Sequence, residues 1–175
     1  IGDSQSVDSI GHYEIVETVL DFLEKFKVKE IITLAGLNVG EIVQRPKVIG
    51  AVNDLKMIEK YKGVGIDFDA GSKIGTIVGA AGLFLGLGKV RGMSGICLLG
   101  ETAGFPIIPD PSSAEAVLRV LTKMLNIEID MSRLERKVRE MKEFIKKVRS
   151  VEKKAVQELL KAPSVTKKEE ELRYI

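Results

Sequence analysis

The sequence predicts an α/β fold in which a mostly parallel sheet lies between helices. Three observations carry that expectation. Short β-branched apolar runs, at 29–36, 48–52 and 95–100, alternate with stretches whose apolar residues recur at helical spacing. The run Gly95-Ile96-Cys97-Leu98-Leu99-Gly100 is apolar at nearly every position, the mark of a strand covered on both faces. The chain has 175 residues, 45% apolar and 30% charged, so it can bury roughly two-thirds of its unfolded surface and keep a solvated exterior.

Taken in order, residues 1–10 read as a loop, with Gly2, Asp3, Ser4 and Ser6 supplying turn chemistry. From 13 to 26, Ile15, Val16, Val19, Leu20, Leu23 and Phe26 follow a helical period. The run 29–36, closed by Gly36, reads as a buried strand, and 48–52 repeats the signal. Residues 54–61 suit a short helix, and 63–67 form a third brief apolar stretch. Between Lys73 and Lys89 lies a stretch rich in Gly and Ala. At about fourteen residues it falls short of the ~20 a spanning helix needs, and it reads as a helix packed closely inside a core. Pro106, Pro109 and Pro111 mark a loop, after which Ser112-Ser113-Ala114-Glu115 has the form of a capping box for a helix through Leu125.

A second such box, Ser132-Arg133-Leu134-Glu135, opens the longest helix. Leu134, Val138, Met141, Ile145 and Val148 recur in alternating steps of four and three, the narrow seam of a coiled coil or bundle partner. From 132 to 161 there are eleven Lys or Arg and five Glu. A seam of this length needs a partner. The helix of 114–125 in a helical hairpin and a neighbouring subunit both fit, and the excess length favours a homo-oligomer, with a tetramer among the states considered. The expected organisation is an α/β core at 1–128, a long C-terminal helix at 129–162 and a flexible tail at 163–175. Because residue 1 is Ile rather than Met, a preceding N-terminal part is expected to be missing.

Composition narrows the function. There is no Trp and only 5% aromatic residues, too few for a stacking surface for single-stranded nucleic acid, and a net charge of +2 implies no nucleic-acid partner. The single cysteine, Cys97, forms no internal disulfide and reads as a buried apolar residue in a reducing, cytoplasmic setting. One His and one Cys, far apart, make no metal set. The segment 86–92 offers glycines beside Lys89 and Arg91, but it lacks the Gly-Lys-Ser/Thr ending of a phosphate loop. Glu101 and Asp110 follow the apolar strand, where α/β proteins place functional groups, so they are the carboxylates an enzyme would use. Capping and turn roles suit them better. His12 has no nucleophile to pair with by sequence, and Asp67 and Asp69, close in sequence, are expected on opposite faces.

The segment 91–102, Arg-Gly-Met-Ser-Gly-Ile-Cys-Leu-Leu-Gly-Glu-Thr, with Pro109-Asp110-Pro111 and Ala114-Glu115-Ala116-Val117-Leu118 after it, resembles the proteasome assembly chaperone family through its archaeal homologues. Gly2-Asp3-Ser4-Gln5-Ser6 and Gly50-Ala51-Val52-Asn53-Asp54 extend the likeness over nearly all of 1–140. The resemblance implies a three-layer sandwich of phosphorylase/hydrolase-like architecture. It also implies a cytoplasmic, ATP-independent protein that binds proteasome α subunits and helps the core particle assemble, with no catalytic residue, cofactor, metal, nucleic acid or membrane in its role. Activators of the core particle carry a tail of apolar residue, tyrosine, any residue. This chain ends Leu172-Arg173-Tyr174-Ile175, with Tyr174 in the penultimate place but Arg173 where the apolar residue is expected, so anchoring would fall to Leu172. The alternative is a hydrolase or ATP-dependent ligase using Glu101 and Asp110 near the Gly-rich segment.

Overall fold

A computed structural model describes residues 5–70, 74–104 and 109–161. The chain divides into two compact units, Ile1–Ser132 and Arg133–Ile175. In the first unit the elements run α1 (Ser9–Lys25), β1 (Glu30–Asn38), β2 (Val48–Val52), α2 (Lys56–Lys60), β3 (Ile66–Asp67), α3 (Ala80–Val90), β4 (Ser94–Thr102) and α4 (Pro111–Leu125). Helix α5 (Ser132–Lys161) forms the described part of the second.

The expected α/β class and mostly parallel sheet are found. Its order is β1-β4-β2-β3. Strand β1 pairs β4 in parallel from Glu30↔Ser94 to Asn38↔Thr102, and β3 pairs β2 in parallel. Only β2 against β4 is antiparallel, with Val48 opposite Gly100 and Val52 opposite Ile96. Strand β4 is thus flanked on both edges, and its residues from Gly95 to Gly100 are all buried.

The pleat of β4 sorts the core by parity. Ile96 and Leu98 point into a cluster with Val48, Met57, Tyr61, Val117 and Val120, which draws in α2 and α4. Cys97 and Leu99 point the other way, into a cluster with Ile49 and Leu85 of α3. Val16 and Leu20 of α1 join Ile31 and Met93 in a third cluster beside α3. Each of these fully buried aliphatic side chains contributes roughly 1.5–3 kcal/mol.

Glycines let the helices approach. A Cβ on Gly100 would lie 2.4 Å from Ser113 Oγ and 2.8 Å from a Val117 methyl, and one on Gly95 would lie 2.5 Å from a Leu85 methyl. The side chain of Asn53 then fastens this face: its amide donates to the carbonyls of Leu85 (2.8 Å) and Met93 (3.1 Å), and its Oδ1 accepts the Gly95 N–H at 2.7 Å.

Two helix starts and one cap differ from the sequence reading. Helix α1 begins at Ser9, because the Asp8 carboxylate accepts the Gly11 N–H at 2.7 Å and nucleates a turn within the expected loop. Helix α3 begins at Ala80 rather than near residue 74, because Gly79 takes φ 86° and the Gln5 side chain accepts the Ala80 N–H at 3.0 Å. Helix α4 is capped not by a serine but by Asp110, whose Oδ1 accepts from both Ser112 and Ser113 backbone N–H groups. Glu115, expected in that capping box, instead pairs with Arg119 at 2.6 Å.

Replacing Gly100 with valine should destabilise the fold by about 1–3 kcal/mol, because α4 must shift to admit the side chain. Urea unfolding followed by circular dichroism would measure it, and an unchanged midpoint would contradict the close approach.

Candidate functional site

The carboxylates at the end of β4 are engaged with backbone. Glu101 Oε2 accepts the Lys47 N–H at 2.8 Å, and the Glu101 N–H donates to the Lys47 carbonyl at 3.1 Å, so this residue closes the join between β2 and β4. Asp110 holds the first turn of α4, as described. His12 sits in the first turn of α1 with Nδ1 2.7 Å from the Asp8 carbonyl.

The Gly-rich segment 86–92 lies at the C-terminal end of α3, not before a helix. Gly92, at φ 75°, ends that helix, with the Met93 N–H donating back to the Gly88 carbonyl at 2.8 Å. A helix C-terminus carries partial negative charge and repels a phosphate. Arg91 is committed elsewhere: its guanidinium pairs with Glu17, with Asp21 at 2.6 Å and with Glu24 at 3.6 Å, tying α3 to α1. Gly88 serves packing, since a Cβ there would lie 2.9 Å from the Ile31 side chain.

A cleft of about 830 Å³ opens over β2 and β3 between α2 and α4, with Val48, Val64, Ile66 and Val120 in its lining and Lys47, Lys62, Arg119 and Lys123 among its charged groups. Asp67 and Asp69 both line this cleft, contrary to the expectation of opposite faces. Alternation separates only neighbouring residues of a strand, and side chains two apart share a face, so the expectation applied the pleat at the wrong spacing. The Ala70 N–H, bonded to Asp67 at 2.9 Å, and Lys47 at 3.6 Å hold the Asp67 carboxyl below its usual range. Cys97 is fully buried, and burial pushes its thiol up from the ordinary value although the Thr33 hydroxyl pulls the other way. Among the described residues no group of three or more His, Cys, Asp or Glu could hold a metal ion, and no helix is long and apolar enough to cross a membrane.

The expected apolar seam lies on one unbroken helix. Leu134, Val138, Met141, Ile145 and Val148 all fall within the continuous 30-residue helix α5, which keeps their steps of four and three on one side. Its charges pair along the helix, Lys137 with Glu140 at 3.2 Å and Lys146 with Glu143 at 2.8 Å. Of the five, Val138 is buried, Leu134, Met141 and Ile145 are half-buried and Val148 is exposed; Phe144 and Val151 are exposed beside them and widen the apolar strip. A heptad template hid them, because it admits a strip only two residues wide. On α1 the helical period includes Ile15, Val19 and Phe26 but leaves out Phe22, which is 56% exposed. The tail residues Leu172, Arg173, Tyr174 and Ile175 lie outside the described residues.

Glu30 at the start of β1 receives hydrogen bonds from Lys60 Nζ and Tyr61 Oη. Partial burial raises the Glu30 carboxyl, but the two hydrogen bonds and the Lys60 charge outweigh it and leave the carboxyl below its ordinary value. The Lys60 ammonium is raised by the same hydrogen bond to Glu30.

An α/β domain with a mostly parallel sheet, its α1 and α4 capped by carboxylates, is the class these observations define. Within that class the chain belongs to the PAC2 family, which its residues 4–149 match. It is 38% identical to the uncharacterized protein MJ1210 of Methanocaldococcus jannaschii over 176 aligned residues, covering all of this chain and 65% of that protein. Its structure resembles that of Pyrococcus furiosus PbaB, an archaeal proteasome activator, at 44% identity and TM-score 0.74, covering 85% of this chain and 63% of PbaB. It also resembles P. furiosus PbaA, an archaeal homologue of proteasome-assembly chaperone, at 25% identity and TM-score 0.71, covering 91% of this chain and 64% of PbaA. The chain therefore spans just under two-thirds of the length of these relatives.

A depressed Glu30 carboxyl adds stability that is present above its unfolded pKa and is lost as pH falls through the lower, folded value. Glu30→Gln should therefore cost up to about 1 kcal/mol at pH 7, given the part-exposed partners, and should flatten the acid limb of a stability–pH curve. Parallel curves for the two proteins would contradict the assignment.

Proposed function

We propose that this protein is a proteasome assembly chaperone or activator that binds proteasome α subunits without ATP and assists core-particle assembly. The observation that carries the reading is the 44% identity to PbaB across 85% of the chain, on a common fold. Its action would be binding alone, in the cytoplasm, with no bond in a substrate made or broken. The occupied states of Glu101 and Asp110 support this over a hydrolase or ligase, since each carboxylate already accepts backbone N–H groups that would lose their partners if it moved to a substrate.

In this reading the sheet is the middle layer of a three-layer sandwich. The α5 seam of Leu134, Val138, Met141, Ile145 and Val148 joins copies of the chain, after a hairpin turn from α4. The oligomer would present several copies of the tail Leu172-Arg173-Tyr174-Ile175, and linked weak tails gain effective concentration at a ring of repeated subunits. The Tyr174 ring would fill a pocket on the α subunits.

Purified α subunits mixed with the protein in the absence of nucleotide should co-sediment; no association at micromolar concentration would refute the reading. Deleting residues 172–175 should weaken association with core particles by roughly 2 kcal/mol or more, read in native gels. Unchanged binding would remove the tail from the mechanism. Replacing Leu134, Met141 and Ile145 together by glutamate should lower the mass in solution.

A further inference from the structure

Helix α1 carries two apolar faces, and only one is used. Val16 and Leu20 are fully buried against β1 and α3. Beside them runs a second row, Ile15, Val19, Phe22 and Phe26, whose relative exposures are 44%, 37%, 56% and 67%. At 100° per residue these four fall within a strip about 60° wide, so they form one continuous ridge. The rings of Phe22 and Phe26 touch, with centroids 4.9 Å apart. A ridge of this size in water is the signature of an interaction surface.

We infer that this ridge pairs antiparallel with the same ridge of a second copy of the chain. Self-complementarity is written in the residues. The spacing, four then three then four, reads the same in both directions. A two-fold axis between Val19 and Phe22 therefore sets Ile15 on the other copy's Phe26 and Val19 on its Phe22. Each contact matches a smaller aliphatic residue with an aromatic ring, which lets the layers interdigitate. Glu14 and Lys25 are exposed on one flank of the ridge, and neither has an ion-pair partner among the described residues. The same axis brings Glu14 of one copy toward Lys25 of the other. The remaining acids of the helix, Glu17, Asp21 and Glu24, pair with Arg91; Asp21 lies on the same flank as Glu14 and Lys25, and Arg91 at 2.6 Å balances its charge there. Two antiparallel helices also oppose their dipoles favourably.

This surface is separate from α5, so the inference goes beyond the proposed function and can fail independently of it. The test uses the full chain with Leu134, Met141 and Ile145 changed to glutamate, which silences the α5 seam, followed by sedimentation velocity. A dimer is expected, and adding Phe22→Glu with Phe26→Glu should convert it to a monomer with an unchanged circular dichroism spectrum. Glu14→Lys alone should raise the dissociation constant about tenfold, and adding Lys25→Glu should restore it. A monomer with the ridge intact, at tens of micromolar, overturns the inference. So does a charge-reversed pair that fails to regain the dimer. Binding of α subunits by the Phe22→Glu, Phe26→Glu protein reports separately on the proposed function.

Discussion

Everything in the first unit is organised by the demand that β4 be dry on both faces. A strand in that position must be apolar at successive residues rather than at alternate ones, and it must have a neighbour on each edge to receive its N–H and C=O groups. β1 and β2 supply the edges, α3 one face and α4 the other. The glycines at both ends of the apolar run follow from the same demand. With Leu85 against Gly95 and Ser113 against Gly100, helices close on the sheet where a methyl group would hold them away.

How much of this was legible depends on range. Periodicity found the strands and the long helices, because burial is repeated over many residues and leaves a pattern. The boundaries set by single side chains were harder. Asp110 was visible, yet a nearby Ser-x-x-Glu pattern drew the cap two residues too far, and the Gln5 cap on α3 comes from 75 residues away. Nothing local in the sequence says that the Asn53 side-chain amide joins three separate backbone groups.

The apolar helix faces divide in the same way. The α5 seam could be read because a helix needs no tertiary information to align residues seven apart. On α1, two apolar rows lie side by side, and a helical period alone merges them into one face. Only the exposures separate the row that α1 buries from the row it offers. Family membership enters by another route. It rests on residues 4–149 as a whole, and no side chain in that span carries it alone.

The one antiparallel join, between β2 and β4, splits the sheet into two parallel pairs running in opposite directions. The carboxyl ends of β1 and β4, at Asn38 and Thr102, open at one rim, while those of β2 and β3, at Val52 and Asp67, open at the other. Doubly wound enzymes gather their reactive loops where many strand ends meet in a single crevice. Among the described strands each rim receives the carboxyl-end loops of two, so loops that a doubly wound sheet gathers in one crevice are shared here between opposite rims.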